Sequence, residues 1–204
     1  MKWFTSDWHM YSDFVIDFER RPFENGIAMS QALLDSVNSL ASPNDTLFIL
    51  GDFCDYKPDN KLIWEKAFDS VTDIGCSVEL ILGNNEYRLL ADEFNGNSSA
   101  FETFLLSKGL KAVHHSLDIG ISGIDLHLNH FPSGTVPNKF NLFGHTHRSG
   151  GLYHPNGMNV GVDMHYFKPL SEVDIQHYYI RHKEYWSKDY ELHLNLEPCK
   201  AHCN

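Results

Sequence analysis

The sequence predicts an α/β fold, a strand–helix alternation that gives way to a second sheet in the later half. Three observations carry this. From Lys2 to Leu82, short apolar runs of strand length alternate with segments whose apolar residues recur at helical spacing. Beyond Gly109 the chain becomes richer in strand-like runs than in helical ones. The runs end at glycines, acids, amides or histidines, so polar groups collect beyond the carboxyl ends of the strands, where open α/β sheets build their sites.

Taken in order, Lys2–Ser6 reads as a short buried strand ending at Asp7, followed by an irregular aromatic segment that contains Arg20, Arg21, Pro22 and Phe23. Met29, Leu33, Leu34, Val37 and Leu40 share one helix face, which the turn Ser42-Pro43-Asn44-Asp45 stops. Thr46–Leu50 is a continuous apolar strand delivering Gly51-Asp52. Ile63, Ala67, Val71 and Ile74 lie on a second helical face closed near Gly75, and Val78–Leu82 is the next strand, delivering Gly83-Asn84. Phe101–Lys108 reads as a helix that Gly109 stops, and strands follow at Lys111–Ile119, Ile124–His130, Phe140–Phe143 and Asn159–Val162. The tail from about Arg181 is polar and aromatic, and its alternation over Tyr190–Leu196 suggests an edge strand or a surface for a partner. With no internal repeat and no linker, residues 1–204 are expected to form a single domain with a C-terminal extension from about 181.

Composition narrows the function. With 42% hydrophobic residues the chain can bury a substantial core. A net charge of -11 argues against a protein that coats extended nucleic acid, which needs clustered Lys and Arg, but leaves room for a small nucleotide bound through metals. There is no apolar run of membrane-spanning length and none at the amino terminus suited to a signal peptide, so a cytoplasmic chain with no membrane partner is expected. Cys54, Cys76, Cys199 and Cys203 are then expected to be reduced thiols. Cys199 and Cys203, with His202 between them, could make a small tail metal site, although an unstructured terminus is the favoured reading.

The chemistry gathers at four strand ends: Asp7-Trp8-His9, Gly51-Asp52-Phe53-Cys54-Asp55, Gly83-Asn84-Asn85-Glu86 and Gly144-His145-Thr146-His147-Arg148. A lone His-x-His is weak evidence, but four such clusters of oxygen and nitrogen donors read as a two-metal hydrolase holding Mn, Fe, Co, Ni or Zn. Period-two alternation puts Asp7 and His9 on one side of an extended strand end, and Asp52 is placed to be shared between two ions. Neither a Gly-x-Ser-x-Gly elbow nor a Gly-x-x-x-x-Gly-Lys loop is present.

In this order, Asp-x-His, Gly-Asp-x-x-Asp, Gly-Asn-x-Glu, an isolated His and Gly-His-x-His resemble the calcineurin-like metallophosphoesterase family. The likeness runs from Asp7 to His147 and extends, through Asn159–Asp163 and Tyr166–Ser171, to a small bacterial and phage branch. It implies a four-layer α-β-β-α sandwich of two mixed sheets flanked by helices. It also implies two divalent metal ions, the first held by Asp7, His9, Asp52 and His147 and the second by Asp52, Asn84, His130 and His145. His130, before Phe131-Pro132, is preferred to His127. The implied reaction is attack on a phosphate ester by a metal-bridging hydroxide. Asp55 and Glu86 would support the ligands from behind, Asp163 could support a histidine, and Arg148, Arg20, Arg21 or Arg88 could grip phosphate. Where the family commonly has His, this chain has Asn85, which can donate a hydrogen bond but cannot release a proton. That favours phosphodiesters or small nucleotides over unactivated monoesters. The rival readings are a catalytically inactive binding scaffold and a nuclease.

Overall fold

The computed structural model describes the backbone of residues 1–195 and the side chains of residues 1–184. Its first sheet has the order β10-β1-β2-β3-β4, from strands Lys2–Thr5 (β1), Thr46–Leu50 (β2), Ser77–Ile81 (β3), Ala112–His114 (β4) and Leu170–Ser171 (β10). The first four run parallel and β10 is antiparallel to β1. The second sheet has the order β5-β6-β7-β9-β8, from Leu117–Ile121 (β5), Ile124–Leu128 (β6), Phe140–Phe143 (β7), Tyr153–His154 (β8) and Gly157–Asn159 (β9). It pairs β6-β7-β9 in parallel and its two outer pairs antiparallel, so both sheets are mixed.

Strand alternation separates two cores. The register aligns Trp3 with Leu47 and Val78, and Ile49 with Leu80, on one face of the first sheet. That face packs on helices Asp13–Glu19 (α1), Gly26–Leu40 (α2), Lys61–Asp69 (α3), Asn84–Glu93 (α4) and Ser98–Ser107 (α5) through buried residues such as Val15, Leu33, Phe68, Leu89 and Phe101. On the other face Phe4 and Phe48, stacked at 5.5 Å, join Leu50 and Ile81 against Leu126, Leu128, Leu142 and Met158 of the second sheet. The long helix Glu172–Asn195 (α6) joins this second cluster through fully buried Ile175, with Tyr178 and Tyr179 packed on it. The α/β class with two mixed sheets flanked by helices is therefore what the structure shows.

Several expected elements differ. The aromatic segment after β1 contains α1, capped where the Ser12 side chain accepts from the Val15 N–H and ended by Arg20 in the left-handed region. The helical face Ile63–Ile74 is α-helical only to Asp69; Ser70–Asp73 tightens to 3₁₀, and Gly75 lies beyond both. Lys111–Ile119 is two strands in different sheets, since the chain bends at His115-Ser116 between β4 and β5. The strand expected at Asn159–Val162 lies earlier, at Gly157–Asn159, with a single bridge from Gly161 to Ser6. Tyr190–Asn195 continues α6 rather than forming an edge strand, while Leu196, Cys199, His202 and Cys203 lie outside the described residues. Ser171 starts α6: its hydroxyl accepts from the Asp174 N–H at 3.2 Å and the Asp174 carboxylate accepts from the Ser171 N–H at 2.8 Å.

Candidate metal centre

The parallel strands of the first sheet deliver their polar ends side by side. The loop after β1 runs along the loop after β2, with N–H bonds from Asp7 to Gly51 O, His9 to Asp52 O and Met10 to Phe53 O at 2.8–3.1 Å. This lockstep puts Asp7, His9 and Asp52 in one place, each almost wholly buried. Five of the seven expected ligands, Asp7, His9, Asp52, His145 and His147, have φ between 46° and 69°. That region is uncommon for residues other than glycine, and each such residue costs about 1–3 kcal/mol unless its surroundings enforce it. Here the strained backbone aims side chains that an unstrained turn would point elsewhere.

The second sheet brings the histidines. His130 follows β6 and is fully buried, its Nδ1 2.7 Å from Leu50 O and its Nε2 3.1 Å from Asn84 Oδ1. After β7, the His145 N–H donates to both Asp7 carboxylate oxygens at 3.0 Å, and its Nδ1 lies 2.8 Å from Asn84 Oδ1. The approach needs Gly144: a Cβ there would come within 1.9 Å of Ser6 Oγ and 2.5 Å of Asp7 Oδ2. The His9 and His147 rings stack at 5.0 Å, and the His130 and His145 rings meet edge-on at 5.1 Å. Asp52 sits between the groups, with Oδ2 3.7 Å from His9 Nε2 and Oδ1 3.6 Å from His130 Nε2.

Three imidazoles are held by the nitrogen that faces away from the site. His9 Nδ1 bonds Asp55, which also takes the Ser12 hydroxyl, and His147 Nδ1 lies 2.8 Å from Asp163. His130 uses the Leu50 carbonyl. Such partners fix the ring and raise the basicity of the opposite nitrogen. Asp163 is in turn clasped by Arg21 at 2.7 and 2.9 Å, with both side chains fully buried, and Arg21 also donates to the Asp7 and Trp8 carbonyls. Burial pulls the His9 imidazole down, but the Asp55 hydrogen bond and the charges of Asp55, Asp52 and Asp7 outweigh it and leave it raised.

These residues fit a metal. His9 Nε2 is buried without a hydrogen-bond partner, an arrangement that costs about 1–3 kcal/mol unless something fills it. Ligand atoms of Asp7, His9 and His147 lie within 4.8 Å of one another, as do those of Asp7, Asp52 and His130. The second grouping gives Asp7 a share in both, a role expected of Asp52 alone. The donors are oxygen and imidazole nitrogen, which suit first-row divalent ions.

The remaining expected residues divide. His127 is on the outer face of the second sheet, 2.7 Å from Asp118, so His130 is the histidine of the site. Glu86 is an N-terminal clamp of α4: its carboxylate accepts from the N–H groups of Gly83, Asp52 and Phe53 at 2.8–2.9 Å. Burial and the Asp52 charge push it up to about 7, against the bonds from the Gly83 and Asp52 N–H groups and the charge of His130. Asn85, in the same first turn, donates its N–H to Asp52 Oδ1 at 3.0 Å and accepts from the Tyr56 N–H at 3.2 Å, leaving its amide NH₂ for the cavity it lines. Arg148 is exposed and is not among the residues lining that cavity, and Arg21 is spent on Asp163. Arg88 and Lys57 line it instead, with Phe14 and Phe18 of α1. Asn159 is a further contributor, its amide NH₂ holding the His147 carbonyl at 2.8 Å.

Two mixed sheets with Asp, Asn and His donors converging at their strand ends define an α/β protein built around a metal-binding hydrolytic site. The chain belongs to the calcineurin-like phosphoesterase family, whose model matches residues 3–149. That makes it a phosphoesterase-family hydrolase, and the family implies divalent metal ions. Among solved structures it is similar to a protein of unknown function, AQ665 from Aquifex aeolicus, at TM-score 0.59 and 18% identity over 86% of this chain and 97% of that one. It is also similar to Yfce, a phosphoesterase from E. coli, at TM-score 0.41 and 16% identity over 78% and 77%. No curated protein sequence matches significantly. Among the described residues no helix is long and apolar enough to cross a membrane.

Proposed function

We propose that the chain is a dinuclear metal-dependent phosphoesterase that hydrolyses small phosphodiesters or nucleotides in preference to unactivated monoesters. The observation that carries this is the Asp52 carboxylate, whose two oxygens face His9 Nε2 and His130 Nε2 at nearly equal distances. Asp7, His9, Asp52 and His147 would hold one ion, and Asp52, Asn84, His130 and His145 the other. Bound divalent ions lower the pKa of coordinated water and offset charge on phosphate oxygens.

The chain's own residues do the rest. Asp55, Asp163 and the Leu50 carbonyl hold the Nδ1 atoms of three imidazoles and so keep the rings in one orientation, with Nε2 turned toward the site. Arg88 and Lys57 put positive charge on the cavity wall of an acidic chain and can meet a phosphate. Asn85 can steady a phosphate oxygen but cannot protonate a leaving alkoxide, which general-acid help would accelerate about 10²–10⁴-fold. Unactivated monoesters lose most from that. A reducing cytoplasm is the compartment this reading assumes, and Cys54 and Cys76 are unpaired.

The test is metal stoichiometry together with substrate choice. Titration with Mn, Co, Ni or Zn should saturate at two ions per chain. The loaded protein should hydrolyse bis-p-nitrophenyl phosphate at least about tenfold faster than an alkyl monophosphate. Metal bound with no hydrolysis of any phosphate ester would instead establish a binding scaffold, and a faster monoester would reverse the substrate preference.

A further inference from the structure

We infer that the α1 face bearing Phe14 and Phe18 is a nucleobase-binding ledge, so that the preferred phosphodiester carries a nucleoside. This rests on the phosphoesterase reading of the site. Large aromatic side chains left in water are the informative exception to burial, and Phe14 is 57% and Phe18 70% exposed. They sit four residues apart on one helix face, their nearly parallel rings stacked at 5.5 Å with an interplanar angle of 17°. Lys57 Nζ lies 4.9 Å from the Phe14 ring centroid and adds a cation beside the pair.

Position decides the occupant. Phe14, Phe18 and Lys57 line the same cavity of about 360 Å³ as Asn84, His145 and His147, so one ligand can touch the ledge and the donor set together. The ledge is also tied to that set, because Ser12, which caps α1, bonds Asp55, the carboxylate that holds His9. A compound that has its phosphate at the donors and meets flat rings and a cation a short distance away is planar, aromatic and anionic at one end. A nucleobase linked through ribose to a phosphate has that form, and stacking on aromatic side chains is the common, sequence-tolerant way to hold it. An aliphatic diester would leave the rings in water.

The experiment uses the full chain loaded with zinc. Rates on a dinucleoside monophosphate and on glycerophosphoethanolamine, an aliphatic diester, are compared for the wild type and the Phe14→Ala/Phe18→Ala double variant. Leu62→Ala, at a still more exposed position outside the cavity, is the control. Independently, saturation-transfer NMR with AMP reports which ligand protons touch the protein. The double variant should lower the nucleotide-to-aliphatic ratio of kcat/KM by about tenfold or more, through KM. It should also remove saturation of the adenine H2 and H8 protons, while Leu62→Ala changes neither readout. An equal fall on both diesters, or adenine saturation that survives the double variant, overturns the ledge. If no phosphate ester is hydrolysed at all, the hydrolase reading fails by itself. Adenine saturation lost in the double variant would still uphold the ledge, and its absence from the wild type would remove it.

Discussion

The two halves of the candidate centre are built differently. On one side His9 and His147 stack on each other, and each is backed by a carboxylate, Asp55 or Asp163. On the other side His130 is backed by a neutral carbonyl, and His145 turns its Nδ1 toward the neutral Asn84 amide. A carboxylate behind an imidazole raises its donor strength more than a carbonyl does, so on the proposed two-ion reading the first half would be the tighter position for a cation. The second half, with His145 exposed at its mouth, is the more open to ligand. On the proposed two-ion reading, the difference teaches that an Asp52 facing both halves does not make them equivalent.

Three perturbations probe that contrast. The largest effect should come from Asp52→Asn, which alters the carboxylate that faces both His9 and His130. Metal binding at both positions should weaken together, and activity should fall by at least about 10³-fold, since metal assistance supplies several kcal/mol. Retention of one ion at full affinity, seen by calorimetry, would show that Asp52 belongs to one half only. A smaller and one-sided effect is expected from Asp55→Asn or Asp163→Asn. Each should reduce affinity about 10–100-fold for the tighter ion while sparing the weaker one. Equal losses at both positions would erase the distinction. Asp163→Asn also leaves Arg21 without its buried partner, and breaking such a pair costs about 3–5 kcal/mol, so a lower Tm should accompany it.

The smallest effect concerns His165, which supports the carboxylate-backed half indirectly. Its Nε2 donates to Asn159 O at 2.8 Å, and the Asn159 side chain holds the His147 carbonyl. Burial lowers the His165 pKa despite that bond and the Asp174 charge. A folded-state value below the unfolded one means the neutral ring stabilises the fold fully above the ordinary value of about 6.5, and that this stabilisation is lost as pH falls below it. Denaturant unfolding from pH 8 to 5 should therefore show a shallower loss in His165→Gln than in the wild type. Identical slopes would mean His165 is equally basic in both states.

Much of this was legible in the chain itself, for identifiable reasons. Thr46–Leu50 is apolar, β-rich and stops at Gly51, so its strand and the position of Asp52 follow from local chemistry. The donors sit in short motifs at strand ends, and the structure brings all seven to one place. Phe14 and Phe18 were harder to read. A seven-residue helix is too short to show a period, and its exposed aromatic face inverts the usual pattern, although Ser12-Asp13 is a start signal. The division of Lys111–Ile119 between two sheets depends on which strands lie beside it, which local pattern does not encode. Helix α6 has a Ser171-x-x-Asp174 start, but the aromatic alternation near its end imitates a strand. Arg88 could not be preferred to Arg148 because adjacency to His147 in sequence says nothing about which side of the loop faces the cavity.

The left-handed turns at Asp7, His9, Asp52, His145 and His147 carry one more consequence. Glycine would relax each of them, so a population selected only for a sturdier chain would drift toward Gly at these five positions and lose the site as it did so. Firmness and catalytic capacity thus pull the same codons in opposite directions.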